Sequence, residues 1–402
     1  QTAFLPGLKA GVSCLIKMTR HLFLQGDARV GLQIVPPGSV HCCVTSPPYF
    51  NQRDYRADGQ IGLEETPADY VAALVEVCRG VWQALRDDGC FYLNVGDSHA
   101  RKTYDDPLYG RITEGNLIGI PWMLAFALRR EGFCLRMDNI WAKTKPKPSS
   151  VKNCTTPSHE YIFHLTKIPA DYYYDREAIL EPLKHPGATG ALFGGKKYPG
   201  KVPNATYSGN AYDPSALGGR NKWSVWTMPT ANYAGSHTAV FPEALVRTCI
   251  LAGTSAAGCC PACGAPYRRI IEVGEPDLAW QQACGGGKDG GYRGKGKKDY
   301  AAARAEDASA IKARILKSMC RKQTVGWEPT CTCSPAAPVP CTVLDPFHGS
   351  GTTTLVAREL GRNSIGIELN PDSIQEARER LGIAAQAVLD TGAVEYDFLV
   401  VE

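Results

Sequence analysis

Two segments far apart in the chain contain residues whose types and order can do chemistry. The first is Thr45-Ser46-Pro47-Pro48-Tyr49, which follows an apolar run. Two successive prolines restrict the backbone and hold a hydroxyl, a carbonyl and an aromatic ring close together. An aromatic amine that attacks an electrophilic methyl group needs acceptors for its protons, which Ser46 and the Pro47 carbonyl offer, and a flat surface, which Tyr49 offers. Taken alone, the segment also fits a proline loop with a capping serine.

The second segment is Asp345-Pro346-Phe347-His348-Gly349-Ser350-Gly351-Thr352-Thr353, about 300 residues later. A glycine turn between a strand and a helix lets the backbone approach a nucleotide-like ligand closely. Glu368 ends the next predicted strand about 20 residues on, where an acidic residue binds ribose hydroxyls in such sites. No lysine follows the last glycine, and the spacing is not GxGxxG. The pattern therefore predicts a site for an adenosine-containing cofactor rather than for a phosphate chain.

Alternating strands and helices are predicted to position these two segments. Short apolar runs predict strands at 21–25, 40–44, 90–95, 134–141, 159–165, 342–344 and 364–367. Helical spacing of apolar residues predicts helices at 69–85, 121–130, 241–253, 352–360 and 372–381, and Asp87-Asp88-Gly89 is predicted to be the turn that closes the first of them. Strands that end in chemistry are typical of parallel sheets, so we expect a doubly wound, mostly parallel α/β fold.

Composition and charge indicate an ordinary globular protein of 402 residues, with 44% hydrophobic and 21% charged residues and a net charge of +4. The charge is concentrated: residues 285–322 hold eleven lysines and arginines against four acids. No apolar stretch is long enough to predict a membrane span, and no signal peptide is evident. The sixteen cysteines therefore predict reduced thiols and a metal in a cytoplasmic protein rather than a disulfide framework.

Together the two motifs resemble those of the DNA amino-methyltransferases. TSPPYF at 45–50, continued by Arg53-Asp54-Tyr55, is similar to the catalytic motif of that family, and DPFHGSGTT at 345–353 is similar to its cofactor motif. The order, with the catalytic motif first and the cofactor motif last, resembles the beta group. The resemblance covers most of 20–168 and 237–385. It implies a Rossmann-like fold and methyl transfer from S-adenosylmethionine to a base flipped out of double-stranded DNA.

Residue by residue, the resemblance implies a catalytic site and a cofactor site. The catalytic residues are Ser46, Pro47, Pro48 and Tyr49. The cofactor residues are Asp27, His237, Phe241, Asp345, Phe347, Gly349, Ser350, Gly351, Thr352 and Glu368, with Glu368 on the ribose, Asp27 near the adenine end, and His237 and Phe241 in a segment that closes the pocket.

The resemblance leaves two target amines open, N6 of adenine and N4 of cytosine. Ser46 favours cytosine, because many adenine enzymes of the family have Asp or Asn at this position. Relatives with the longer TSPPYF and RDY pattern include adenine enzymes, and a serine hydroxyl can accept a hydrogen bond from either amine. On balance, the sequence predicts adenine N6 by a narrow margin, with cytosine N4 as the alternative.

Basic residues outside the motifs are predicted to contact DNA. They are Arg53; Lys143, Lys145 and Lys147 after the strand at 134–141; Lys196, Lys197, Arg220 and Lys222 in the loop-rich region 168–236; and Lys295 and Lys297 in the basic segment. The loop-rich region is interpreted as the target recognition region. The basic segment either grips phosphates or is a solvated loop. Proteins of this group often form homodimers, which would suit a palindromic target.

Four cysteines in two close pairs are predicted to bind a structural Zn²⁺. They are Cys260 and Cys263 in a CxxC knuckle followed by glycine, and Cys331 and Cys333 in a CxC pair. Four thiolates complete a tetrahedral zinc site and leave no position for a catalytic water. The alternative is two reduced loops. The basic, cysteine-bearing stretch 258–341 is therefore predicted to be a zinc-ribbon-like insertion.

The predicted organisation has six parts: an extension at 1–17, a catalytic half at 18–167, a recognition region at 168–236, a return segment at 237–257, the insertion at 258–341 and a cofactor half at 342–402. The predicted function is site-specific DNA methylation, in a restriction-modification system or as an orphan methylase of bacterial or phage type. The alternatives are a catalytically silent zinc-ribbon DNA-binding protein, which would not bind the cofactor, and an RNA or small-molecule methyltransferase.

Overall fold

The computed structural model describes residues 18–106, 108–148, 152–181, 219–230, 241–276, 320–334, 336–383 and 394–401. The chain divides into two compact units. The first contains 1–173, 225–266 and 333–402, and the second contains 174–224 and 267–332. The predicted extension at 1–17, most of the recognition region and most of the basic segment lie outside the described residues.

A nine-stranded sheet forms the centre of the first unit. Its strands are β1 (Thr19–Gln25), β2 (Val40–Thr45), β3 (Leu85–Val95), β6 (Cys134–Lys143), β7 (His159–Thr166), β8 (Val225–Met228), β11 (Thr342–Asp345), β12 (Asn363–Glu368) and β13 (Val394–Val400). The spatial order is β13-β1-β12-β11-β2-β3-β7-β6-β8. Only β7 runs antiparallel to its neighbours β3 and β6. The predicted mostly parallel α/β fold is confirmed.

Helices cover both faces of this sheet. They are α1 (Ala28–Ile34), α2 (Pro67–Ala84), α3 (Ile120–Arg130), α4 (Glu243–Gly253), α5 (Thr352–Glu359) and α6 (Pro371–Leu381). Successive strand residues point to opposite faces. On β2, Cys43 joins the core formed with α1, α2 and α3, whereas the Cys42 thiol faces the Cys249 carbonyl of α4. Because side chains on both faces of β2 are covered, every residue of this strand is buried.

The strand order reverses direction next to β11. The chain passes from β11 to β12 on one side, whereas β2 on the other side is followed by β3. Ligands of open α/β sheets bind outside the carboxyl ends of the strands at such a switch point. Here β2 ends at Thr45 and β11 ends at Asp345, and the Thr45 hydroxyl donates to the Asp345 carboxylate at 2.6 Å. The two motifs therefore meet where the topology predicts a ligand site.

One local prediction is wrong, and one helix was not predicted. Asp87-Asp88-Gly89 is not a closing turn, because β3 starts at Leu85 and runs through these residues with a shift of register against β2. At Gly89 a side chain would meet the His41 carbonyl of β2 at 3.0 Å, so the strands approach closely there. The sequence reading also gave no helix at Ala28–Ile34, where Asp27 caps α1 by accepting from the Arg29 amide.

The second unit contains an antiparallel hairpin of β9 (Arg268–Pro276) and β10 (Cys320–Glu328), together with a 3₁₀ turn at Arg176–Ile179. Arg269 donates to both carboxylate oxygens of Asp175 at 2.8 Å, and the Asp175 side chain is 2% exposed. A short hairpin of β4 (Tyr104–Asp106) and β5 (Gly110–Ile112) belongs to the first unit. No helix in the described part of the chain is long and apolar enough to cross a membrane.

Candidate active site

A cavity of about 470 Å³ lies at the carboxyl ends of the central strands. Both motifs line it, and all of its lining residues belong to the first unit. Among them are Asp27, Ser46, Pro47, Pro48, Tyr49, Arg53, Tyr55, Asn94, Trp141, Lys143, Lys147, Glu160, Phe241, Phe347, His348, Gly349, Ser350, Thr352 and Glu368.

The catalytic motif ends in a hydrogen-bonded network around a buried carboxylate. The Tyr49 hydroxyl donates to Glu160 Oε2 at 2.6 Å and lies 3.3 Å from Ser46 Oγ. Asn94 Nδ2 donates to the Tyr49 hydroxyl at 2.7 Å and to Glu160 Oε2 at 2.6 Å. The Lys143 ammonium pairs with the other Glu160 oxygen at 2.5 Å. Five side chains from four segments are thus fixed at one end of the cavity.

The electrostatics of this network keep Tyr49 in its neutral form. Burial, together with the nearby Glu160 charge, raises the pKa of Tyr49 well above its usual value. The Pro48 carbonyl accepts a hydrogen bond from the Tyr70 hydroxyl at 2.7 Å, so it is engaged in holding the turn. Within the motif, the Ser46 hydroxyl and the Pro47 carbonyl are the candidate acceptors for a substrate amine.

The other end of the cavity is formed by the glycine turn and the end of β12. Glu368 Oε2 accepts from the Gly349 amide at 2.7 Å, and Glu368 Oε1 accepts from the Asn370 amide at 2.9 Å. Burial raises the pKa of Glu368, against these amides, which lower it. A carboxylate that faces a cavity beside a glycine turn is suited to bind two ribose hydroxyls.

Asp27 lies at the same end and is held by its neighbour. It caps α1, and Arg29 donates to both of its oxygens. Burial opposes ionisation of Asp27, but the hydrogen bonds and charge of Arg29 outweigh it and lower its pKa. Phe347, Gly349, Ser350, Thr352 and Phe241 also line the cavity. This part therefore offers aromatic and apolar surface beside two carboxylates, as an adenosine group requires.

A family model described as DNA methylase, the N6/N4 methyltransferase model, matches residues 40–259 and 340–379. This chain belongs to that family. It is an S-adenosylmethionine-dependent DNA amino-methyltransferase, as its motifs predict. The methyltransferase fold and the enzyme class predicted from the sequence are confirmed.

Several relatives match this methyltransferase over most of their length. The Type II methyltransferase M.SmaI of Serratia marcescens is 33% identical over 372 residues, which is 89% of each chain. M.Cfr9I of Citrobacter freundii is 31% identical over 373 residues, 89% of this chain and 86% of that one. Among solved structures, the cytosine-N4-specific PvuII DNA methyltransferase matches with a TM-score of 0.49 and 15% identity, over 90% of this chain and 88% of that one.

Two predicted cofactor residues lie behind the cavity wall of the methyltransferase. Asp345 is fully buried, and its oxygens accept from the Thr45 and Thr353 hydroxyls and from the Phe347 amide. Gly351, in the left-handed conformation with φ of 82°, starts α5. Neither is among the residues that line the cavity, so both hold the turn rather than face the ligand. His237 lies outside the described residues.

The predicted DNA-binding residues fall into three groups. Arg53, Lys143 and Lys147 line the cavity, and Lys145 is exposed in the loop after β6. In the second unit, Arg220 and Lys222 both pair with Glu181, and Arg220 stacks on the Trp223 ring at 3.6 Å. Lys196, Lys197, Lys295 and Lys297 lie outside the described residues.

Three of the four predicted zinc ligands lie together in the first unit. The sulfurs of Cys260, Cys263 and Cys333 are all within 4.8 Å of one another, and Cys331 belongs to the second unit. A tetrahedral Zn²⁺ with Zn–S bonds of about 2.3 Å places its sulfurs at comparable separations. Around the knuckle, the His41 ring on β2 contacts the Gly264 carbonyl at 2.8 Å, and Arg86 donates to the Cys263 carbonyl at 2.8 Å. The cluster can hold the metal, and it is anchored to the strands next to the catalytic motif.

A second group, His41, Cys259 and Cys341, also brings potential ligands together. Both nitrogens of the His41 ring are engaged, Nδ1 with the Thr342 amide and Nε2 with the Gly264 carbonyl. A histidine must offer a free lone pair to a metal. This group is therefore part of the buried core and not a second metal site.

The sequence reading missed Glu160, Asn94 and His348 as site residues. Glu160 is an acidic residue near the start of a strand that is otherwise largely apolar. Because acidic residues are buried only with hydrogen-bond or charge partners, this position was a sequence signal of a site residue. Asn94 carries the same signal near the end of β3. His348 is buried, its pKa is lowered to about 4 by burial, and its ring lies where a Gly366 side chain would be.

Proposed function

We propose that this DNA methyltransferase modifies N4 of cytosine in a base flipped out of duplex DNA. Ser46 carries the proposal, because its hydroxyl is the side-chain acceptor that the catalytic motif offers at the base end of the cavity. In the family that the motif resembles, many adenine enzymes have Asp or Asn at this position. A serine there favours cytosine.

The RDY part of the longer pattern that favoured adenine lies away from the base end of the cavity. The Tyr55 carbonyl of the Arg53-Asp54-Tyr55 pattern accepts from Asn370 Nδ2 at 3.3 Å, and the charge of nearby Glu368 contributes to the raised pKa of Tyr55, after burial. Tyr55 thus lies at the cofactor end of the cavity. Because this part of the pattern lies beside the cofactor rather than the base, we give more weight to Ser46 and propose cytosine N4 over adenine N6.

The residues at the base end can prepare the amine for attack. S-adenosylmethionine supplies an electrophilic methyl group on a sulfonium. The exocyclic amine donates one proton to Ser46 Oγ and the other to the Pro47 carbonyl, which draws its lone pair out of conjugation with the ring. Tyr49 and Trp141 line this end of the cavity and offer aromatic surface to the base. The enzyme needs no covalent intermediate for this transfer.

Nucleoside mass spectrometry tests the proposal. The enzyme is incubated with S-adenosylmethionine and mixed-sequence duplex DNA, and the digested nucleosides are quantified. N4-methylcytosine supports the proposal; N6-methyladenine would overturn the base assignment and leave the mechanism intact. Structured RNA added as a competitor separates a DNA enzyme from an RNA enzyme. Cofactor binding without any methylated nucleoside in duplex DNA would point to an RNA or small-molecule methyltransferase, whereas a chain that binds DNA but no cofactor would be a silent DNA-binding protein.

Two variants test the role of the motif in this reaction. Ser46→Ala removes the acceptor, and we expect a loss of at least about 100-fold in single-turnover rate, the scale of a positioned proton acceptor. Pro47→Ala frees the backbone and should also abolish most of the transfer. Cofactor affinity, measured by calorimetry, should stay within about threefold for both, since neither residue belongs to the cofactor end. Equal loss of affinity and rate would mean that the motif supports the fold only.

The proposal includes DNA contacts from Lys145 and Lys147, which follow β6 at the base end. Lysines that contact phosphates strengthen binding without reading sequence. The double variant K145A/K147A should weaken binding to every duplex alike and reduce the slope of log K against log salt by up to about 2.

A homodimer on a palindromic site is also proposed, because the family often dimerises; sedimentation of the DNA complex reports the stoichiometry.

We further propose a structural Zn²⁺ on Cys260, Cys263, Cys331 and Cys333. The mutual approach of the sulfurs of Cys260, Cys263 and Cys333 supports it, together with the CxC spacing that puts Cys331 two residues before Cys333. Elemental analysis should give one zinc per chain, which Cys263→Ser should reduce together with the melting temperature. Cys154→Ser is the matched control, because Cys154 is exposed and outside the cluster. A chain without zinc whose melting temperature is unaffected by C263S would exclude the metal.

A further inference from the structure

The carboxylate of Glu160 sits where neither the motif nor the cofactor site requires one. Glu160 is 9% exposed on β7, and it accepts from Tyr49, Asn94 and Lys143. Burying a carboxylate is costly unless such donors are assembled around it. Its nearest link to the substrate is the Tyr49 hydroxyl, which is itself next to Ser46.

The positions of the protons in this network follow from the chemistry of its members. An ionised carboxylate only accepts, so the single Tyr49 hydroxyl proton is directed to Glu160 Oε2. Tyr49 Oη must then accept at its other contacts, and the Ser46 hydroxyl at 3.3 Å donates to it. Asn94 Nδ2 donates to Ser46 Oγ at 3.5 Å, and the other lone pair of Ser46 Oγ is left for the substrate amine. The three groups, all of which line the cavity, form an ordered line of hydrogen bonds from Ser46 to the Glu160 carboxylate.

We propose that Ser46, Tyr49 and Glu160 form a proton relay in which Glu160 receives the proton released by the methylated amine. The inference rests on the proposed function, since it needs an amine at Ser46. Asn94 and Lys143 act as positioning residues, because they hold Tyr49 and Glu160 without lying on the line.

The step balances as follows. The amine nitrogen forms a bond to the methyl carbon with its lone pair, and the pair of the broken sulfur–carbon bond stays on sulfur, which becomes a neutral thioether. While this bond forms and positive charge develops on the nitrogen, the nitrogen gives a proton to Ser46 Oγ, the Ser46 proton passes to Tyr49 Oη and the Tyr49 proton passes to Glu160, so the proton transfers belong to the same step as the methyl transfer. The products are a neutral methylamino base and a protonated Glu160, which later loses its proton to solvent.

A carboxylate is a sufficient acceptor for this proton. The cationic amine is a strong acid, because its lone pair returns to conjugation with the ring once the proton leaves. Tyr49 never needs to ionise, since it gains one proton as it loses another; this agrees with the neutral form that its surroundings favour.

A double-mutant cycle tests the relay. Glu160→Gln removes the terminal acceptor, and Tyr49→Phe removes the middle hydroxyl but keeps the ring. Each should lower the single-turnover rate by about 100-fold or more. Groups that act as a unit are not additive, so the double variant should be no slower than the slower single variant. Glu131→Gln is the matched control, a carboxylate paired with Arg79 far from the cavity, and it should keep the wild-type rate.

Solvent isotope effects give a readout that a structural role does not move. In mixtures of H₂O and D₂O, a plot of the wild-type rate against the fraction of D₂O should be curved, because more than one proton moves. Y49F should lose this curvature while its cofactor affinity stays within about threefold. Additive losses in the cycle, or an E160Q rate within threefold of wild type, would overturn the relay while the methyltransferase function stands. A wild-type chain that methylates no duplex DNA would overturn the proposed function, and the relay with it.

Discussion

At the scale of single residues, Asp345 shows how a motif residue can serve the fold rather than the ligand. Its carboxylate joins Thr45 at the end of β2 to Thr353 in α5. The first residue of the glycine motif therefore fixes the distance between the catalytic and cofactor strands. Burial raises its pKa to about 6, against the hydroxyls and the amide that lower it.

This raised pKa predicts a pH dependence of stability. The folded chain holds the Asp345 proton more tightly than the unfolded chain, so the stability from neutral Asp345 is fully present below about pH 4 and is lost as the pH rises through about 6. Asp345→Asn stays neutral and can keep the hydrogen bonds. As the pH rises from 5 to 8, the free energy of unfolding of this variant should increase by roughly 1–2 kcal/mol relative to that of wild type. Urea unfolding measures the difference. The same pH dependence in both proteins would contradict the shift.

Glu368 is the residue whose loss should weaken cofactor binding most directly. Glu368→Gln leaves one oxygen to serve both the Gly349 and Asn370 amides and weakens acceptance from the ribose. Hydrogen bonds to charged groups contribute about 1.5–3 kcal/mol, so the dissociation constant for the cofactor should rise by roughly 10- to 100-fold. Calorimetry measures it. Glu359→Gln, in a half-exposed pair with Arg247, is the control, and equal affinities of the two variants would refute the ribose assignment.

At the scale of elements, the turn before α5 depends on a left-handed residue. At Gly351 a side chain would meet Ala377 Cβ at 3.0 Å and the His348 ring at 3.2 Å, and φ is 82°. Gly351→Ala should therefore lower the free energy of unfolding by roughly 1–2 kcal/mol for the left-handed conformation, and by a further amount for the close contacts. Gly361→Ala is the control: φ is 68° and nothing lies within 4 Å, so it should cost only the backbone part. Chemical unfolding and cofactor affinity distinguish them, and equal losses would refute the packing argument.

The elements around the site were largely predictable from the sequence. Apolar runs and helical spacing gave the strands and helices that carry both motifs, because the central strands are buried on both faces. The break predicted at Asp87-Asp88-Gly89 failed because the pairing of β3 with β2 continues past a shift of register. Local turn propensity cannot report such long-range pairing.

The interior of the site was less predictable for a related reason. Glu160 meets Tyr49 only because β7 inserts antiparallel beside β3, which brings residues more than 100 positions apart into contact. The spacing of residues along the sequence does not show which residues of β3 and β7 pair with each other. Conversely, Asp345 and Gly351 were predicted to touch the cofactor because their motif does, whereas the fold uses them behind the cavity wall.

At the scale of the whole molecule, we expect the two compact units to have separable functions. The cavity and its network belong entirely to the first unit, whereas the second contains the described residues 174–181, 219–224, 267–276 and 320–332, which are parts of the predicted recognition region and of the basic insertion. We therefore expect damage inside the second unit to change which DNA is methylated and to leave cofactor binding unchanged.

Arg269→Met makes this expectation testable. It removes the Arg269 Nε–H that donates to both oxygens of the buried Asp175 carboxylate, and breaking such a pair costs roughly 3–5 kcal/mol. The second unit should melt earlier, and methylation of the cognate site should fall towards that of random DNA. Arg268→Met, at an exposed neighbour on β9, should change neither. Because no residue of this unit lines the cavity, cofactor affinity should stay at the wild-type value in both variants; a parallel loss of cofactor affinity in R269M would mean that the two duties are not separable.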